Sequence, residues 1–161
     1  MDKATSVLII DDSAVWRKII KKELESMGFR IAGEASNGQD GVKKYFAVKP
    51  DLVTMDIEMP AMDGLLATQK ILEADASAKI IMVSSRGDEN TVRKALLIGA
   101  VDFISKDAEK KVWNMKLSKY IRKSPERGIC SRIIQGIKKA NPVEFLLKIK
   151  RKQGKMDKYD R

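Results

Sequence analysis

Carboxylates stand at two places where apolar runs of the chain stop. Val7-Leu8-Ile9-Ile10 ends at Asp11-Asp12-Ser13, and Leu52-Val53-Thr54-Met55 ends at Asp56. Short runs of this kind, rich in β-branched residues and flanked by Pro50-Asp51 and Pro60 in the second case, predict buried strands. If both strands lie in one open parallel sheet, their carboxyl ends share the edge where such sheets bind ligands. Three carboxylates gathered there repel one another unless a cation neutralises them, and an oxygen-only set suits Mg²⁺. The chain has no histidine and a single cysteine, Cys130, which argues against zinc or copper. Either acidic end alone reads as a solvated Asp; the coincidence of two points to a site.

Two more strand ends add different chemistry. Lys79-Ile80-Ile81-Met82-Val83 stops at Ser84-Ser85, and Val101-Asp102-Phe103-Ile104-Ser105 stops at Lys106. Acid, hydroxyl and amine at one edge could bind a phosphoryl group. Carboxylates would hold a metal, one carboxylate could act as nucleophile, and hydroxyl and ammonium would steady phosphoryl oxygens.

The elements that must position these groups alternate along the chain. Ser13 to Met27 spaces Val15, Ile19, Ile20, Leu24 and Met27 as an amphipathic helix, with Ser13 as N-cap and Gly28 as stop. Phe29–Ala35 predicts a short strand, Ser36-Asn37-Gly38 a turn, and Gln39–Lys49 a helix burying Val42, Tyr45, Phe46 and Val48. After the strand ending at Asp56, Leu65–Ala74 predicts a helix with Leu66, Ile71 and Leu72 inward. Asp88-Glu89-Asn90 can start a helix over Thr91–Ile98 that Gly99 stops. Val112, Trp113, Met115, Leu117, Tyr120 and Ile121 form the stripe of a last helix, ended by Ser124-Pro125. Strand–helix alternation implies an α/β fold: a doubly wound, five-stranded parallel sheet flanked by helices.

Composition sets bounds on this reading. A chain of 161 residues holds one well-buried domain and an appendage, here residues 1–123 and a basic C-terminal extension over 124–161. No apolar stretch approaches the roughly 20 residues of a membrane span, so no membrane insertion is expected. The polar start predicts no signal peptide, and one cysteine fits a reducing cytoplasm. The net charge of +10 is uneven. Residues 1–106 hold 15 Lys/Arg against 16 Asp/Glu, whereas 107–161 hold 17 against 6.

In order and in position, Asp11-Asp12-Ser13, Met55-Asp56 through Met59-Pro60-Ala61-Met62-Asp63-Gly64, Ser84, and Gly99-Ala100 through Lys106 resemble a two-component receiver domain of the CheY-like (flavodoxin-like) fold. The resemblance implies that Asp56 accepts a phosphoryl group from a sensor histidine kinase (CheA-like). It implies that Asp11, Asp12 and Asp56, with the main-chain carbonyl of Glu58, hold Mg²⁺. Ser84 would be the switch hydroxyl, Lys106 the lysine that pairs with the phosphoryl group, and Phe103 the switch aromatic that alters binding of a downstream protein target. By default Phe103 is a core or edge aromatic, Ser84 a strand-end cap and Lys106 a surface lysine. The motif details, Val83-Ser84-Ser85 among them, are similar to the receiver of CheB-type chemotaxis regulators. The 55 residues beyond Lys106 are too few for an esterase domain, and without histidine its catalytic constellation is absent. The only catalysis expected is of the chain's own phosphorylation and dephosphorylation.

One departure stands out. Receivers usually follow the lysine with a cis proline, and here Asp107 follows Lys106. A cis bond at a non-proline residue costs roughly 2.5–4 kcal/mol, so a trans bond is expected. Beyond it, Arg127–Lys139, with Ile129, Ile133, Ile134 and Ile137 on one face, and Val143–Ile149 could form short helices before a basic run. That extension reads as a solvated helical tail, a contact for nucleic acid, or a dimerisation element. Two other functions remain open to the sequence. One is a receiver-controlled DNA-binding regulator acting through the basic tail. The other is a Mg²⁺-dependent phosphohydrolase of the haloacid type, for which Asp56-Ile57-Glu58 is a near miss to Asp-x-Asp.

Overall fold

The computed structural model describes residues 4–121. The tail helices expected between Arg127 and Ile149, and the break at Ser124-Pro125, lie outside them. Strands β1 (Ser6–Ile10), β2 (Arg30–Ala35), β3 (Leu52–Met55), β4 (Ile80–Ser84) and β5 (Asp102–Ser105) alternate with helices α1 (Ala14–Ser26), α2 (Gly38–Val48), α3 (Gly64–Ala74), α4 (Glu89–Ile98) and α5 (Lys110–Leu117), and a 3₁₀ turn covers Ser118–Tyr120. The sheet order is β2-β1-β3-β4-β5, with every pair parallel.

Helices cover both faces, which is why the central strands are apolar at successive positions rather than at alternate ones. On one face Leu8, Ile10, Val53, Met55, Ile80 and Met82 pack against Tyr45 of α2, Ala67 and Ile71 of α3 and Ala95 of α4. On the other, Val7, Ile9, Leu52, Ile81 and Val83 pack against Ile20 and Leu24 of α1 and Trp113 and Leu117 of α5. The helix starts follow the chemistry of their first residues. Ser13, Asn37, Asp63 and Asp88 each accept a backbone N–H from the residue three positions on. Gly28 and Gly99 end their helices at positive φ, 89° and 119°.

Several inward assignments are corrected. Val15 (65% exposed), Ile19, Phe46, Val48, Leu66 and Met115 lie at the surface. The apolar stripes of these helices are wider than the arc the sheet covers: Ile20, Leu24, Tyr45, Ile71, Trp113 and Leu117 are buried within it, and Met27, Val42 and Leu72 pack half-buried at its margin. Both edge strands are blunted by lysines. Lys44 Nζ donates to the Glu34 carbonyl of β2 at 2.6 Å, and Lys116 Nζ donates to the Phe103 carbonyl of β5. No described helix is long and apolar enough to cross a membrane.

Candidate functional site

The register of the sheet assembles the site. Ile10 pairs with Met55, so the next residue of each strand, Asp11 and Asp56, leaves the sheet side by side, and Asp56 N donates to the Ile10 carbonyl at 2.8 Å. Ser84 pairs with Ser105, and Lys106 N donates to the Ser84 carbonyl at 3.0 Å. Lys106 therefore starts beside the end of β4 and reaches back across the edge. Its Nζ lies 2.7 Å from Asp11 Oδ2 and 2.8 Å from Asp56 Oδ2.

All three of these side chains are buried. Burial pushes the Asp56 carboxyl above the ordinary carboxylate range; the hydrogen bond from Lys106 opposes this and the charge of Asp11 adds to it. Burial alone would draw Lys106 down, but its ammonium's contacts with the accepting carboxylates of Asp11 and Asp56, and their charges, outweigh it and raise its pKa. Trp16 adds a further hold on the ammonium, which sits 5.2 Å from the centre of the indole ring.

Asp12 is exposed, and one carboxylate oxygen from each of Asp11, Asp12 and Asp56 lies within 4.8 Å of the others. Asp11 Oδ1 accepts from Ser13 N at 2.9 Å and Asp56 Oδ1 from Ile57 N at 2.8 Å. Asp11 Oδ2 is fully buried, and among the described residues it meets the Lys106 ammonium at 2.7 Å without an aligned hydrogen bond. A buried oxygen with acceptor capacity to spare, among oxygen donors only, fits a small hard cation such as Mg²⁺.

The remaining sequence-derived residues lie around this centre. Ser84 is fully buried, and its Oγ accepts from Arg86 N at 3.2 Å rather than touching a carboxylate. Phe103 is buried in the core on the α2–α3–α4 face, as its default reading as a core aromatic anticipates. Glu58 stands two residues past Asp56, its exposed carboxylate paired with Arg86 Nε at 2.8 Å. Where a haloacid-type site needs its second aspartate, this carboxylate is engaged by an arginine. Among the described residues there is no cis peptide bond, so Lys106–Asp107 is trans. Asp107 accepts a hydrogen bond from Ser105 Oγ, and Ala108 N donates to the Ser105 carbonyl at 3.1 Å, closing a turn that leaves Lys106 aimed at the acids.

Sequence reasoning missed three contributors: Trp16 over Lys106, Arg86 paired with Glu58, and Arg17. Arg17 Nη1 donates to the carbonyls of Asp11 and Asp12 at 2.8 and 3.2 Å. Trp16 and Arg17 stand three and four residues past Ser13, but nothing in their types announces a contact with a lysine 90 residues on from Trp16 or with main-chain carbonyls. Gly64 was legible as part of the motif but not for its reason. A Cβ there would lie 1.8 Å from the Asp56 carbonyl oxygen, and its N–H bonds the Ile57 carbonyl at 2.9 Å, folding the loop after β3 back on itself.

Residues 7–118 match the response regulator receiver domain family. The chain is 50% identical over 107 residues to the chemotaxis protein CheY of Treponema pallidum, covering 65% of this chain and 74% of that one. Among solved structures it is similar to a chain of the CheX–CheY–BeF3–Mg complex from Borrelia burgdorferi, with a TM-score of 0.68 and 37% identity over 73% of this chain and 90% of that one. It is also similar to the response regulator domain of Thermotoga maritima CheB, with a TM-score of 0.65 and 35% identity over 73% of this chain and 94% of that one.

Proposed function

The chain belongs to the response regulator receiver family, and on that premise we propose that it is a phosphorylation-controlled switch of chemotaxis-type two-component signalling, with Asp56 as phosphoacceptor. One observation carries the assignment to Asp56: a buried ammonium, Lys106 Nζ, lies within 2.8 Å of carboxylates from two neighbouring strand ends. An oxygen of Asp56 attacks the phosphorus of a phosphohistidine on a CheA-like sensor kinase. The P–N bond breaks, its electron pair stays with the imidazole, and an acyl phosphate forms on Asp56. Lys106, already bonded to Asp56, neutralises charge on the transferred group. Ser84 Oγ exchanges its contact with Arg86 N for a phosphoryl oxygen, and Phe103 couples that movement to the α4–β5 surface where a downstream protein binds. Asp11, Asp12, Asp56 and the main-chain carbonyl of Glu58 would hold Mg²⁺, which supplies charge neutralisation in phosphoryl transfer. Hydrolysis of the acyl phosphate resets the switch, and the chain catalyses nothing beyond its own phosphorylation cycle. The setting is the cytoplasm, where such kinases present their phosphohistidine.

The partner assignment is tested by phosphotransfer. A radiolabelled, histidine-phosphorylated chemotaxis kinase mixed with this chain and Mg²⁺ should lose its label to the chain, in wild type and not in Asp56→Asn. Label that stays on the kinase, or that reaches Asp56→Asn equally, would contradict it.

A further inference from the structure

Arg17 is set against its own helix. It stands within four residues of the start of α1, a helix with no acidic residue in its first turn, where the dipole disfavours positive charge. Its side chain is 18% exposed, and it reaches backward instead of outward. Nη1 donates to the Asp11 carbonyl at 2.8 Å and to the Asp12 carbonyl at 3.2 Å, while Nε faces Glu34 Oε2 of β2 at 3.4 Å. Lys21 Nζ, 3.5 Å from Glu34 Oε1, steadies the same carboxylate. On the amino side of the motif, Asp11 N donates to the Ala35 carbonyl of β2 at 3.0 Å. The two acidic residues are thus fastened through their main chain at three points, all leading to β2 or to Arg17, while Arg17's own ion pair is with Glu34.

We propose that Arg17 is a positioning residue for cation binding: it holds the Asp11–Asp12 main chain so that both carboxylates face Asp56. The inference rests on the Mg²⁺ reading above. Carboxylates within 4.8 Å of one another repel; Lys106 offsets part of this at Asp11 and Asp56, and the repulsion left before a cation arrives acts to splay the loop between β1 and α1. A guanidinium gripping the carbonyls resists this without occupying the carboxylate oxygens a metal needs. Its planar fork lets one side chain engage two carbonyls and a carboxylate at once, which an ammonium on a flexible stem does less well. Groups that orient metal ligands from behind typically change affinity by about 10–100-fold when removed.

The test is calorimetric titration of MgCl2 into the full-length chain for wild type, Arg17→Met and Arg17→Lys, with far-UV circular dichroism and metal-free melting curves alongside. Arg17→Met should bind Mg²⁺ at least about tenfold more weakly while keeping wild-type secondary structure, and Arg17→Lys should lie between them. A purely structural role would lower the melting temperature and leave the affinity of the folded protein unchanged, so wild-type affinity in a folded Arg17→Met overturns the proposal. Full rescue by Arg17→Lys overturns it too, by assigning the effect to charge alone. Should Arg17→Met not fold, weakened binding by Arg17→Lys supports the proposal and wild-type affinity rejects it. A wild-type chain that does not bind Mg²⁺ would fail the Mg²⁺ reading itself.

Discussion

Asp56 and Lys106 pull stability in opposite directions, and that opposition is the residue-scale signature of the site. Burial raises the pKa of Asp56 in the folded chain. The folded state then holds the proton more tightly than the unfolded state, so stability falls as pH rises through the unfolded value, about 4, toward the raised folded value. At neutral pH without Mg²⁺ the ionised carboxylate is a standing cost. Asp56→Asn should therefore melt higher than wild type at pH 7, on the order of a few degrees, and the gap should close as the pH drops below about 4. Lys106→Met should do the reverse, since it leaves two buried carboxylates facing each other; loss of one partner from a buried ion pair typically costs about 3–5 kcal/mol. Melting curves from pH about 3 to about 8 check both signs. The acids, Ser84 and Lys106 were legible in the sequence because each terminates an apolar run. Trp16 and Arg17 were not, because their contacts are with an ammonium far along the chain and with main-chain oxygens, which leave no periodic trace.

At the scale of elements, the loop between β3 and α3 is built around one close approach. Gly64 passes so near the Asp56 carbonyl that no side chain fits. Gly64→Ala should destabilise the protein by about 1–3 kcal/mol or more, as overpacking does, and should impair phosphoryl uptake because Asp56 itself is displaced. Denaturant titration and phosphorylation of the same preparation check this. Strand positions, the cap at Ser13 and the stops at Gly28 and Gly99 followed directly from sequence, since strand burial, caps and positive φ are local matters, whereas the helices expected from Gln39, Leu65 and Thr91 start earlier, at Gly38, Gly64 and Glu89. Which apolar residues of a helix turn inward was less legible. Val15 and Ile19 share a stripe with Ile20 and Leu24, yet only the latter two meet the sheet. That choice is made by how α1 lies against β1 and β2, a tertiary property that spacing does not encode. The turn at Ser105–Ala108 shows the converse: the trans peptide was expected from Asp107, but the bond from Ser105 Oγ to Asp107 that accompanies it was not.

For the whole molecule, charge and chemistry are segregated. Along the sequence, the near-neutral stretch up to Lys106 carries every candidate site residue, and residues 107–161 carry the +11 balance and none of those residues. Removing residues 125–161 should therefore leave Mg²⁺ binding and phosphoryl uptake within about twofold of the full chain, a ratio well under 1 kcal/mol. A cation that binds only the folded state also stabilises it, by about 2.7 kcal/mol at a hundred times its dissociation constant, so the melting temperature should climb with MgCl2 and do so less when Asp11 is replaced by Asn. The central claim is that this sheet edge makes Asp56 a phosphoacceptor, and the most direct measurement is intact mass after incubation with acetyl phosphate and Mg²⁺. The account predicts a single, alkali-labile phosphoryl adduct on the wild-type chain and none on Asp56→Asn. No adduct on wild type, with Mg²⁺ bound, or an equal adduct on both, would contradict it.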